Sequence, residues 1–417
     1  MSESPRKAPQ PCSSRRRSEI RIVNISRRQF LAAAAGAAGF VPVGEAADLL
    51  SRTHCGKGTC EKKKLIVVLF GGGTRSSESI DDPQHRYIPR LWREMVSKGA
   101  LFTNMRVEHK VVHPNCAGSI MTGHWEWDDN EWSRPVANPT IFEVYRKAHK
   151  ASDTSAWAFV YASILANTGQ SLSPDYGISY AANVVTPPTI QRTTADQIAN
   201  QMAQAAKAGS TNAEIEATKK CARLACKSSQ IWTAGLHSKR AIDFIENEHK
   251  SWMREETNTS HDAFLADRTI ACIRNFSPDV ISVCFGEIDC AHYGSWSRYV
   301  DAIRRTDELT WRIWRTAEQL DDYRGRTLML ILPDHGRELD RDGHWGFIHH
   351  SNFYTNQNAD EGCRRVWMLA LGPGVKAGHR IESPVPVTAA AATGLEYLEL
   401  ETPSGAESSV WNLIGNG

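Results

Sequence analysis

The chain is 417 residues long, 41% hydrophobic and 23% charged, with a formal net charge of +2. That balance belongs to a globular protein with enough apolar material for a sizeable core, and it excludes a disordered, collagen-like or polytopic membrane protein. Residues 1 to 47 hold eight Lys and Arg against three Glu, an excess of five that leaves the remainder at −3, so a nucleic-acid partner has no electrostatic footing.

Residues 25 to 43 read ISRRQFLAAAAGAAGFVPV. Arg27 and Arg28 precede Phe30 and Leu31, a weakly apolar Ala/Gly run follows to Pro42, and the small residues Ala46 and Ala47 lie beyond. The run is shorter than the ~20 apolar residues that cross a bilayer, so no transmembrane segment is expected. It resembles a twin-arginine export signal, whose SRRxFL core is matched from Ser26 to Leu31. The resemblance implies a signal peptide over 1–47, recognition by the twin-arginine export machinery, and a mature chain 48–417 carried folded to the periplasm or outside the cell.

Of ten cysteines, Cys12 lies in the leader; the nine that remain are an odd number, so at least one thiol is free. Cys55/Cys60 and Cys221/Cys226 are spaced for local disulfides in an oxidising compartment, and neither pair has the CxxC spacing of a zinc clip.

The first strand is expected in LIVVLFGGG, 65 to 73, a β-branched apolar run closed by a glycine turn. Similar runs follow at 280 to 286 (VISVCFG), 327 to 336 (TLMLILPDHG) and 366 to 374 (VWMLALGPG). Near-continuous apolar strands are those of a parallel sheet covered on both sides. Helical stretches stand between them at 87–98, 212–219, 237–252 and 296–320. This alternation predicts an α/β fold: a doubly wound, mostly parallel central sheet with helices on both faces. The polar section from about 151 to 259, with one strand candidate at 156–161, reads as a cap or insertion.

Ligands in such sheets bind where the loops leaving the strand carboxyl ends converge. Asp and His concentrate there. GEIDCAHYG offers Glu287, Asp289 and His292; the third strand runs into Asp334 and His335, with Arg337 two residues on; GHWGFIHH supplies His344, His349 and His350. Mixed carboxylate and imidazole ligands suit Zn foremost, or Mn or Fe, better than Ca. Arg75 and Arg337 flank the crevice and are placed to clamp an oxyanion. The tryptophans of HWEWDDNEW (124–132) read mainly as packed aromatics.

These elements, with PNCAGSIMTG at 114–123, resemble the alkaline phosphatase superfamily of phosphatases, phosphodiesterases, mutases and sulfatases over about 65 to 375. The resemblance implies two metals about 4 Å apart that clamp an in-line displacement. One would be held by Asp289, His292 and His349, with His350 and His344 as alternatives to the last. The other would take Asp334, His335, the nucleophile and a carboxylate from the first strand turn.

The chain departs from that pattern in three places. Gly72 stands where the family's first-turn Asp is expected, leaving Glu78 as a substitute. His113 stands at the nucleophile position, so that His113 itself, Ser119 or Cys116 would have to serve, or His113 would bind metal. The Asp289 to His292 spacing is one residue tighter than the usual Asp-x-x-x-His. The expected function is an exported hydrolase of small-molecule phosphate or sulfate esters using one or two divalent ions. The alternative is a non-catalytic relative that binds a metal or an anion.

Overall fold

The computed structural model describes residues 62–176, 178–187, 238–254, 260–340, 345–350 and 360–416. The leader, both cysteine pairs, the helix expected at 212–219 and His344 lie outside the described residues.

Nine strands form a single sheet: β1 (Lys64–Leu69), β2 (Ala100–Arg106), β3 (Ala156–Val160), β4 (Asn183–Val185), β5 (Val280–Cys284), β6 (Thr327–Leu332), β7 (Arg365–Leu371), β8 (His379–Ile381) and β9 (Val385–Pro386). Their order is β4-β3-β5-β1-β6-β7-β2-β8, with β9 also on β2. β1 is central and parallel to both neighbours, with Leu65 opposite Val280 and Leu328. All six of its residues are buried, and the two-residue period of a strand sends alternate side chains to opposite faces. Leu65, Val67 and Leu69 join one core cluster, and Ile66 and Val68 the other.

Helices cover both clusters. α1 (His113–Thr122), α2 (Ile141–His149) and α6 (Ala389–Tyr397) supply Ile120, Phe142 and Leu395 to the first. α3 (Lys239–Arg254), α4 (His261–Phe276) and α5 (Trp296–Gln319) supply Ile245, Phe264 and Ile303 to the second. The doubly wound, mostly parallel arrangement is therefore present.

β7 is the exception to parallel pairing, running antiparallel to β6 and β2. Gly336 N donates to Cys363 O at 2.8 Å, which sets the start of β7 beside the end of β6. A strand that begins where its neighbour finishes has to run back.

The section expected as a cap contributes to the sheet in its described parts. β3 pairs with β5 in parallel, β4 pairs with β3, and Phe244 of α3 packs against Trp157 of β3. The segment expected to be helical at 87–98 is helical in its second part, as a π-helical turn, Leu91–Met95, followed directly by a 3-10 turn, Val96–Lys98. Among the described residues, no helix is long and apolar enough to cross a membrane.

Candidate metal centre

The carboxyl ends of β5 and β6 lie on either side of β1, so the loops leaving them meet above it. After β5, Gly286 leads into a 3-10 turn, Glu287–Tyr293, that carries Asp289 and His292. After β6 come Asp334, His335 and Arg337. α1 opens with His113, reached from the extended Val112, and has Pro114 in its first turn, where the missing N–H costs nothing. It closes on Gly123 at φ 78°, a left-handed cap that glycine adopts without a Cβ penalty. His350 follows the 3-10 turn Gly346–Ile348.

These loops gather one compact cluster. His113 Nδ1 lies 2.6 Å from Asp334 Oδ2, and its Nε2 lies 2.9 Å from Asp289 Oδ1. His335 Nε2 is 2.9 Å from His113 Nδ1. His292 Nε2 stands 3.0 Å from Asp289 Oδ1. Arg337 Nη2 donates to Gly72 O at 2.5 Å and to Asp289 Oδ1 at 2.8 Å. Asp334, His335 and Arg337 are fully buried, and His350 is nearly so. Two groups have donor atoms close enough to share an ion, His113 with His335 and His350, and Asp289 with His292 and His350, each within 4.8 Å of one another. Buried imidazoles and carboxylates at this spacing are the donor set of a Zn-type ion, so the residues fit the metal that the sequence pattern implies.

The charges of the cluster are interlocked. Burial alone would lower the His113 imidazole, but Asp334 and Asp289 outweigh it and raise it to about 10. Burial pushes the Asp334 carboxyl up, and His335 and His113 overcome this and hold it at about 2. The Asp289 carboxyl, which burial would raise, is held far below the usual range by His113, His292 and Arg337. Burial lowers His335 to about 4 and carries His350 lower still. In the metal-free chain the two carboxylates thus favour the protonated form of the His113 imidazole between them, and burial favours the neutral forms of His335 and His350.

The remaining sequence candidates lie elsewhere. His349 is exposed on its turn, and the neighbouring His350 is the one that enters the cluster. Successive residues of an extended chain point to opposite sides, so only one of the two can face inward. Glu78 receives Arg75 Nε at 2.6 Å and the Tyr299 hydroxyl at 3.2 Å. Arg75 is occupied in turn by Glu78 and Asp340. Ser119 is fully buried on α1, donating to Asn115 O at 2.6 Å and accepting from Glu126 N at 2.9 Å. Cys116 is buried and donates to Lys110 O. At Gly72, φ is +78° and an added Cβ would lie 2.5 Å from Asp289 N, so a carboxylate side chain has no room there.

A cavity of about 630 Å³ opens beside Asp289 and His292. Its wall includes Tyr161, Tyr293 and one side of α5, where Arg298, Ala302 and Arg305 fall at helical spacing. Arg305 is paired with Glu287 and Asp301 with Arg304, whereas Arg298 has no ion pair among the described residues. Sequence reasoning missed this cavity, although the i, i+4, i+7 spacing of those three residues is visible in the chain.

No protein-family model and no curated protein sequence matches the chain. Solved structures do share its fold. A variant of alkaline phosphatase PafA aligns with a TM-score of 0.50 at 12% identity, over 86% of this chain and 100% of that one. Ps i-CgsB aligns with a TM-score of 0.51 at 13% identity, over 84% and 75%. The phosphonate monoester hydrolase of Agrobacterium radiobacter aligns at 0.50 and 11%, over 85% and 78%. The chain has an alkaline phosphatase-like α/β fold.

Proposed function

We propose that the protein is a metal-dependent hydrolase of phosphate or sulfate esters, exported by the twin-arginine route. The observation that carries the reading is the gathering of Asp289, His292, Asp334, His335 and His350 around His113 at adjoining strand ends. In its support, a phosphonate monoester hydrolase and an alkaline phosphatase share the fold. The SRRxFL motif in the leader supports export.

A divalent ion, when bound, supplies stabilisation of the negative charge that builds on ester oxygens in displacement. The chain's own residues do the rest. Asp289 and Asp334 fix the His113 ring between them. Arg337, anchored on Gly72 O, places a permanent positive charge beside Asp289. The cavity along α5 receives the organic part of the ester.

The test is turnover by the purified full chain on aryl phosphate monoesters, diesters and aryl sulfates, before chelation, after it, and after Zn2+ is restored. Activity that disappears with the chelator and returns with the ion is expected. A chain that turns over none of the esters in any of the three states overturns the reading.

One observation favours a second reading, a non-catalytic metal- or anion-binding relative. His113 occupies the place between Asp289 and Asp334, while the hydroxyl of Ser119 and the thiol of Cys116 are both engaged with backbone. Turnover above that of an Asp334→Asn control removes this reading.

A further inference from the structure

We propose that the cluster holds a single divalent ion on His113, His335, His350 and Asp334, with Arg337 supplying the positive charge at the Asp289 end. This rests on the reading of the cluster as a metal centre and adds the identity and number of its ligands.

The hydrogen bonds on the far side of each ring carry the argument. His335 Nδ1 lies 2.8 Å from Gly336 O and His350 Nδ1 lies 3.0 Å from Val111 O. A carbonyl oxygen only accepts, so both Nδ1 atoms carry the proton and both Nε2 atoms present a lone pair. In His113 the outward nitrogen is Nε2, 2.9 Å from Asp289 Oδ1, which leaves Nδ1 facing His335 Nε2 and Asp334 Oδ2. Three ring nitrogens therefore converge, and Asp334 Oδ2 lies 2.6 Å from that of His113 and 3.9 Å from that of His335; together they supply the donor number of a tetrahedral Zn site. Each imidazole is also oriented from behind by a carbonyl or a carboxylate, the outer arrangement that ligating histidines usually have. Asp289 is thus a positioning residue that acts through His113.

A second ion on Asp289 and His292 meets two obstacles. Its third donor would again be His350, whose Nδ1 is committed to Val111 O and whose Nε2 can serve one ion. Its place is also next to the buried guanidinium of Arg337, 2.8 Å from Asp289 Oδ1. Like charges at such separations repel. Gly72 adds no carboxylate to offset that repulsion.

The experiment loads the full chain with Co2+ or Zn2+, counts bound metal, and counts the imidazoles on Zn by X-ray absorption. One ion per chain with three imidazoles is expected, with a four-coordinate visible spectrum for Co2+. His113→Gln should abolish stoichiometric Co2+ binding. Asp289→Asn should keep a single ion but weaken it about 10–100-fold, the usual cost of losing an outer partner. Two ions per wild-type chain, or fewer than three imidazoles on Zn, would overturn the proposal even if a variant fails to fold. Two ions with ester turnover would leave the hydrolase reading standing without the single-ion site. A single ion on three imidazoles with no turnover would do the reverse.

Discussion

His113 sits between two carboxylates, with Nδ1 2.6 Å from Asp334 Oδ2 and Nε2 2.9 Å from Asp289 Oδ1. Without metal, His113 balances them together with Arg337, which donates to Asp289 Oδ1 at 2.8 Å. His113→Ala removes one partner from a buried charge network and leaves the others uncompensated, a change that costs about 3–5 kcal/mol. Urea denaturation in chelator checks this. A loss below about 1 kcal/mol would mean that the carboxylates are balanced by other groups.

Gly72 is the position where the superfamily pattern would have placed an acidic ligand. Its φ of +78° and the 2.5 Å approach of an added Cβ to Asp289 N make any side chain costly. Gly72→Asp should therefore destabilise the protein, with about 1–3 kcal/mol from the backbone conformation alone, and should lower metal content. A soluble, equally stable variant that binds more metal would show that the turn relaxes to admit the ligand.

How much of this was legible in the sequence follows from the type of signal. The central strands could be read because β1, β5 and β6 are covered on both faces and so appear as unbroken apolar runs. The reversal of β7 could not, since an apolar run looks the same in either direction; the Gly336–Cys363 contact that sets it joins residues distant in the chain. β2, with its mixed ALFTNMR sequence, gave no clear alternation. At the site, Asp289, His292, Asp334 and His335 were visible as strand-end residues. The choice between His349 and His350 depends on which way one turn faces, which neighbouring identical residues cannot reveal. Glu78 and Arg75 looked like site residues because composition does not show that they neutralise each other.

Ser119 separates a structural hydroxyl from a nucleophilic one. Its hydroxyl donates to Asn115 O within α1 and accepts from Glu126 N, which ties α1 to the 124–127 loop, and removing a buried, bonded hydroxyl costs about 1–3 kcal/mol. Ser119→Ala should lower the melting temperature and leave kcat on aryl esters within about twofold of wild type, since thousandfold losses accompany a missing nucleophile. A collapse of kcat in a folded variant would return Ser119 to the chemistry.

Asp307 gives a pH dependence away from the metal cluster. It is buried on α5, where it accepts from Arg90 N and Leu91 N, both at 2.8 Å. Burial raises its carboxyl from 3.8 to about 7. The folded chain then holds a proton that the unfolded chain has released, so this contribution to stability is complete below about pH 4 and is lost as pH rises through about 7. Asp307→Asn mimics the neutral form. Its stability deficit relative to wild type should shrink between pH 5 and pH 8 in paired thermal melts, and a deficit that grows would reverse the sign.

Arg298 lines the cavity and forms no ion pair among the described residues. Arg298→Ala should raise KM about 10- to 150-fold for esters that carry a second anionic group, in line with the roughly 1.5–3 kcal/mol of a charged hydrogen bond. Esters with a single anionic group should be unaffected. An equal effect on both would place Arg298 outside the binding of the organic part.

The central claim, that strand-end Asp and His residues hold an ion that an ester hydrolase needs, is tested most directly at Asp334. Metal content and aryl-ester turnover should be measured side by side for the wild type and Asp334→Asn. The substitution should remove stoichiometric Zn and reduce turnover to background together. Wild-type metal content and turnover in a folded Asp334→Asn chain would contradict it.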